Sequence, residues 1–232
     1  MIGILAGMGP KSTAPFLDKV IQICQQEYGA KCDMDFPPIM IYSCPTPFYV
    51  DRPLDYRALG QAIVDGVQKL AGTGVEIIAV PCNVAHLYWD EITAAVQTPV
   101  LNMVDLTLES LPQGSSEIAV LATEATLASG IYQQGLAASH KTFVTRPEWQ
   151  QAVNSVLNLI KSGESMERAV EEWRQLLQSV EKAAHAAVIA CTDLNLAADQ
   201  VTAALPLVDS SFCLARAVAA SYYDKKQLLR QP

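Results

Sequence analysis

The sequence predicts an α/β protein made of two similar lobes with mainly parallel sheets. Three observations carry that expectation: strand-length apolar runs alternate with amphipathic stretches, the second half echoes the first, and a glycine turn closes the first run. The apolar runs fall near 2–6, 38–43, 75–80, 99–103, 117–122, 142–145 and 186–190, with helical patterns such as 55–71 and 165–183 between them. The echo pairs "IGILAGMGPKST" with "IAVLATEATLAS", and "IIAVPCNVAH" with "AVIACTDLNL". A weak duplication follows. The expected division is 1–98 plus 209–232 for the first lobe and 99–208 for the second, with a final helix near 211–224 returning to the first lobe.

The first run, Ile2 to Ala6, reads as a buried strand, and Pro10 suits the first turn of a helix whose apolar stripe is Phe16, Leu17, Val20, Ile21 and Cys24. Strand, glycine turn and helix N-terminus together resemble an anion site. Neither phosphate fingerprint is met, however. Gly7-Met8-Gly9-Pro10-Lys11-Ser12 lacks the third glycine of the dinucleotide pattern, and no Gly-Lys-Ser/Thr follows. These residues alone leave open what the turn holds, and 122–126 is its counterpart in the second half.

With 232 residues, 50% hydrophobic and 17% charged, the chain can bury a sizeable core. No run of about 18 apolar residues could span a bilayer, so no membrane partner is expected. The first residues enter a strand without a basic segment or a small-residue cleavage site, which makes a cytoplasmic location the expectation. A net charge of −8 without basic blocks argues against nucleic acid, whose phosphates need a basic patch. An anionic small molecule must therefore be met by local positive charge.

Six cysteines in such a chain read as thiols rather than a disulfide framework. Cys24 and Cys213 fall on apolar helical stripes, and Cys32 and Cys44 lie in or near loops. Cys82 and Cys191 differ by position. Each follows an apolar strand, precedes an expected helix and is followed at once by a small polar residue, Asn83 or Thr192. Ligands of open parallel sheets bind at such carboxyl ends, and a helix N-terminus favours the thiolate. Two buried cysteines ending strands by coincidence is the competing reading. Cys82 and His86 stand four apart, but two ligands do not make a metal site, so no metal is expected.

The motifs "GILAGMGP", "VPCNVAH", "VLATEATLASGIYQ", "IKSG" and "ACTDL", in this order over nearly the whole chain, resemble the cofactor-independent aspartate/glutamate racemases, the aspartate branch most closely. That resemblance implies two α/β domains with the active site between them, a homodimer, an amino-acid substrate and no cofactor. It implies that Cys82 and Cys191 are the catalytic acid/base thiols, and that Met8, Asn83, Thr123, Thr126 and Thr192 lie around the substrate. Arg52, in "VDRP", and Lys161, in "IKSG", are implied partners for carboxylates. Two departures stand out: Val84 replaces the family's usual threonine, and Asp193 stands where glutamate is often found. The expected activity is interconversion of L- and D-aspartate by two-base proton transfer. Alternatives are a glutamate or broad-specificity racemase, or a non-catalytic protein that binds small carboxylates.

Overall fold

The computed structural model describes residues 1–47 and 54–228. The chain divides into two compact units, Met1–Met103 with Ser211–Pro232, and Val104–Ser210. In the first unit the order is β1 (Ile2–Ala6), α1 (Thr13–Tyr28), β2 (Ile39–Ser43), α2 (Tyr56–Ala71), β3 (Ile77–Ala79), α3 (Trp89–Ala95) and β4 (Val100–Leu101). Then come α4 (Met103–Glu109), β5 (Glu117–Ala122), α5 (Glu124–Ser129), α6 (Ile131–Ala138), β6 (Thr142–Val144), α7 (Pro147–Ser162), α8 (Met166–Val180), β7 (Ala186–Ala190), α9 (Asn195–Ala198) and β8 (Leu207–Asp209). The last helix, α10 (Ser210–Leu228), is shared out at Ser210/Ser211, so nearly all of it belongs to the first unit.

Each unit holds one four-stranded parallel sheet, in the order β2-β1-β3-β4 and β6-β5-β7-β8. The second sheet repeats the first strand for strand, which is the structural form of the sequence echo. In both, the direction of winding reverses between the two central strands, β1/β3 and β5/β7, the place where open α/β sheets receive ligands. The central strands β1 and β7 are buried throughout, as expected for strands covered on both faces.

Local sequence accounts for most helix ends. Asp55 caps α2 by accepting from the Ala58 amide at 3.0 Å, and Ser165 caps α8 by accepting from the Arg168 amide at 3.2 Å. Gly29 and Gly163 end α1 and α7 in the left-handed conformation, with φ of 69° and 75°. In the second unit, Trp149, Val153 and Val156 of α7 and Trp173, Leu176 and Val180 of α8 join Leu121, Ala187 and Ile189 of the sheet in one buried cluster. Among the described residues no helix is long and apolar enough to cross a membrane.

The structure differs from the sequence expectation in two places. The fourth run, expected over 99–103, pairs only at Val100–Leu101, because Met103 already starts α4. Strand β8 was not expected, since only Leu207 and Val208 are apolar between Pro206 and Asp209. After Cys82 and Cys191 the expected helices begin as 3₁₀ turns, Val84–Tyr88 and Thr192–Leu194, which run on into α3 and α9.

Candidate active site

The two thiols occupy matching positions. Ile4 of β1 pairs with Ala79, the last residue of β3, and Cys82 follows three residues on. Ala122 of β5 pairs with Ala190 of β7, so Thr123 and Cys191 are the next residues on neighbouring strands. In the run from Pro81 to His86 every residue is buried except Cys82, which is half-buried. From Ala186 to Asn195 the same holds, with Cys191 the half-buried residue. The other cysteines are buried, or in the case of Cys32 exposed. Burial pushes the Cys24 and Cys44 thiols up from their ordinary value, which suits packing rather than proton transfer.

In the first unit, the Cys82 turn is braced through its main chain. The Cys82 amide donates to the Val80 carbonyl at 2.8 Å, and the Ala85 amide donates to the Cys82 carbonyl at 3.2 Å. His86 is buried, and the Met103 amide donates to its Nε2 at 3.0 Å. That nitrogen must hold a lone pair, so Nδ1 carries the hydrogen and donates to the Cys82 carbonyl at 2.9 Å. His86 is thus a neutral strut joining the ends of β3 and β4. With both ring nitrogens engaged, the Cys82/His86 pair offers no metal ligand from the ring, and no group of three or more metal-ligating side chains is present among the described residues. Tyr88 completes the brace: its ring lies where a Cβ on Gly60 would sit, 2.6 Å away, and its hydroxyl donates to the Tyr56 carbonyl at 2.7 Å.

The glycine turn after β1 has its own explanation. Gly7 has φ of +93°, and a Cβ there would come within 2.7 Å of both the backbone N and O of Cys44. The Gly7 amide donates to Thr13 Oγ1 at 3.2 Å, and Ser12 Oγ donates to the Gly9 carbonyl at 2.8 Å. Glycine is required because β1 and β2 crowd together where they end. Met8 stands half-buried in this turn, Asn83 is buried beside Cys82, and Val84 is 8% exposed in the turn that follows. Arg52 lies outside the described residues.

In the second unit, Thr123 caps α5, its Oγ1 accepting from the Thr126 amide at 3.4 Å and standing 3.1 Å from Thr126 Oγ1. Thr126 is 0% exposed, so Thr123 is the member of the pair that faces outward. Lys161, in the last turn of α7, reaches the Cys191 turn: its Nζ is 3.8 Å from Asp193 Oδ2. Thr192 and Asp193 are buried, and Asn195 Nδ2 donates to Asp209 Oδ1 at 2.9 Å. Ser210 is buried and donates to the Ile189 carbonyl at 2.8 Å. Sequence reasoning missed Asn195, Asp209 and Ser210. The available signal was "LVDSS", small polar residues directly after an apolar pair, the same grammar that marks both cysteines.

A model of the Asp/Glu/hydantoin racemase family matches residues 5–218. The chain belongs to that family. It is 46% identical over 222 residues to the broad specificity amino-acid racemase RacX of Bacillus subtilis (strain 168), covering 96% of this chain and 98% of the relative. Among solved structures it is similar to the aspartate racemase of Picrophilus torridus, with a TM-score of 0.82, 27% identity and coverage of 96% of this chain and 94% of that one. The fold also matches glutamate racemase from Thermus thermophilus, with a TM-score of 0.66, 18% identity and coverage of 97% and 81%. This racemase is therefore an isomerase by reaction class, and its strand-end thiols stand where a parallel sheet presents chemistry to a small molecule.

Proposed function

We propose that this racemase inverts the α-carbon of amino acids, aspartate among them, by two-base proton transfer between Cys82 and Cys191. The observation that carries the reading is the matched placement of the two thiols, each the half-buried residue of a buried run at a switch point. Inversion requires that the α-hydrogen leave as a proton from one face and that a proton arrive on the other. One thiolate takes the proton, breaking C–H and forming S–H while the electron pair stays on carbon; the other thiol then gives its proton to the opposite face. No electrons are gained or lost overall, and the roles exchange in the reverse direction.

The α-proton is a far weaker acid than a thiol, so the carbanion needs stabilisation at its carboxylate by hydrogen bonds and positive charge. Lys161, at the Cys191 turn, and Arg52 are the cations assigned to carboxylates. Thr123 and Asn83, beside the two thiols, are the neutral donors. The chemistry needs no cofactor or metal, and activity is expected to survive chelators and carbonyl reagents.

Two readings of substrate range remain distinct. Broad specificity is favoured by the 46% identity to the Bacillus subtilis enzyme over nearly the whole of both chains. Preference for aspartate is favoured by the structural likeness to the Picrophilus torridus enzyme and by the Lys161 ammonium. Incubation of the purified protein with a panel of L- and D-amino acids in deuterated water, followed by chiral separation, decides between them. Inversion of several side-chain classes establishes breadth, and inversion of aspartate alone establishes the narrower enzyme. Binding without exchange at any α-carbon would leave a carboxylate-binding protein.

A further inference from the structure

We infer that Asp193 sets the charge that the Cys191 side of the site offers to substrate, and that it disfavours amino acids carrying a second carboxylate; the inference rests on the two-thiol reading above. Asp193 stands two residues past Cys191 and is 5% exposed. Its Oδ2 lies 3.8 Å from Lys161 Nζ, while Oδ1 is buried with no hydrogen-bond partner. A second acid, Asp209, ends the neighbouring strand β8, level with Ile189 of β7 and held by Asn195. Lys161 is thus already paired with Asp193, so the pair offers no net charge where Lys161 alone would offer +1.

A dicarboxylate that brings its side-chain carboxylate to Lys161 must share the ammonium with Asp193 and stand near a like charge. The aspartate cannot withdraw, because one methylene fixes its carboxylate to a buried turn. A glutamate has a further rotatable bond and can swing its carboxylate away from Nζ. Neutral and cationic side chains meet no such repulsion. The Asp193–Lys161 pair thus makes the site tolerant of side chains in general by weakening an anchor that would select for a dicarboxylate.

The test compares kcat/KM for aspartate and alanine in the full chain and in three variants. Asp193→Asn is expected to raise the aspartate-to-alanine ratio about tenfold, chiefly through a lower KM for aspartate. Asp193→Glu is expected to raise it less, about threefold. Lys161→Gln, which removes the ammonium beside Asp193, is expected to lower it about tenfold. A folded Asp193→Asn protein whose ratio stays within twofold of the parent overturns the inference. Where that variant does not fold, a Lys161→Gln ratio that is unchanged or raised overturns it. Calorimetric binding of succinate against propionate to the same proteins reads charge preference without turnover. A parent that racemises nothing, but whose succinate preference rises in Asp193→Asn, refutes the two-thiol reading and sustains the role of Asp193. Turnover with an unmoved ratio refutes the role of Asp193 alone.

Discussion

The ends of β3 and β7 are equivalent in topology and opposite in electrostatics. Both carry a half-buried cysteine, a buried small polar residue and a 3₁₀ turn. At Cys82, the segment from Pro81 to Tyr88 holds no charged side chain, and the turn is fixed by a neutral histidine that bonds two main-chain groups. At Cys191 the turn is fixed by charge, with Asp193 against Lys161 and Asn195 against Asp209. A duplicated framework thus supplies the shared requirement, a thiol at a strand end, while the surrounding residues diverge. One side is built to hold geometry, and the other also sets which substrate charge is accepted.

The largest expected effect breaks the equivalence. Cys82→Ala and Cys191→Ala should each lower racemisation by about 10³-fold or more, since each removes one face's proton carrier; chiral chromatography of aspartate and alanine checks this. Next is Gly7→Ala, which puts a Cβ into the Cys44 backbone at a left-handed position and should cost about 3 kcal/mol. For a chain of this size that lowers Tm by roughly 6–12 °C, measurable by calorimetry. His86→Leu leaves the Met103 amide and the Cys82 carbonyl without their ring partner, at a cost of about 2 kcal/mol. If the ring is a strut for the thiol, kcat should fall more than KM changes. The smallest is Val84→Thr. It should alter stability by no more than about 1 kcal/mol, the scale of burying one hydroxyl, while shifting relative kcat/KM across an amino-acid panel. Unchanged kinetics would mean that residue 84 does not face substrate.

Much of this was legible in the sequence because it rests on patterns that parallel sheets impose. β1 and β7, and β5 after Glu117, are continuous apolar runs buried on both faces, and Cys82 and Cys191 follow such runs. What was hidden depends on contacts between residues distant in the chain. Lys161 meets Asp193 across more than thirty positions, and His86 meets Met103 across seventeen. β8 is three residues long and exists because β7 offers an edge to pair with. The glycine at position 7 answers the crowding of Cys44, a residue no local pattern links to it.

The central claim is that each turn supplies the proton carrier for one face of the α-carbon, and deuterium wash-in by single-thiol variants tests it most directly. L- and D-aspartate or alanine, incubated separately with Cys82→Ala and Cys191→Ala in deuterated water, are followed by proton NMR at the α-position and by chiral chromatography. The account predicts that each variant exchanges the α-hydrogen of one enantiomer only, that the two variants choose opposite enantiomers, and that neither inverts its substrate. A variant that exchanges both enantiomers, or that racemises near the parental rate, would contradict it.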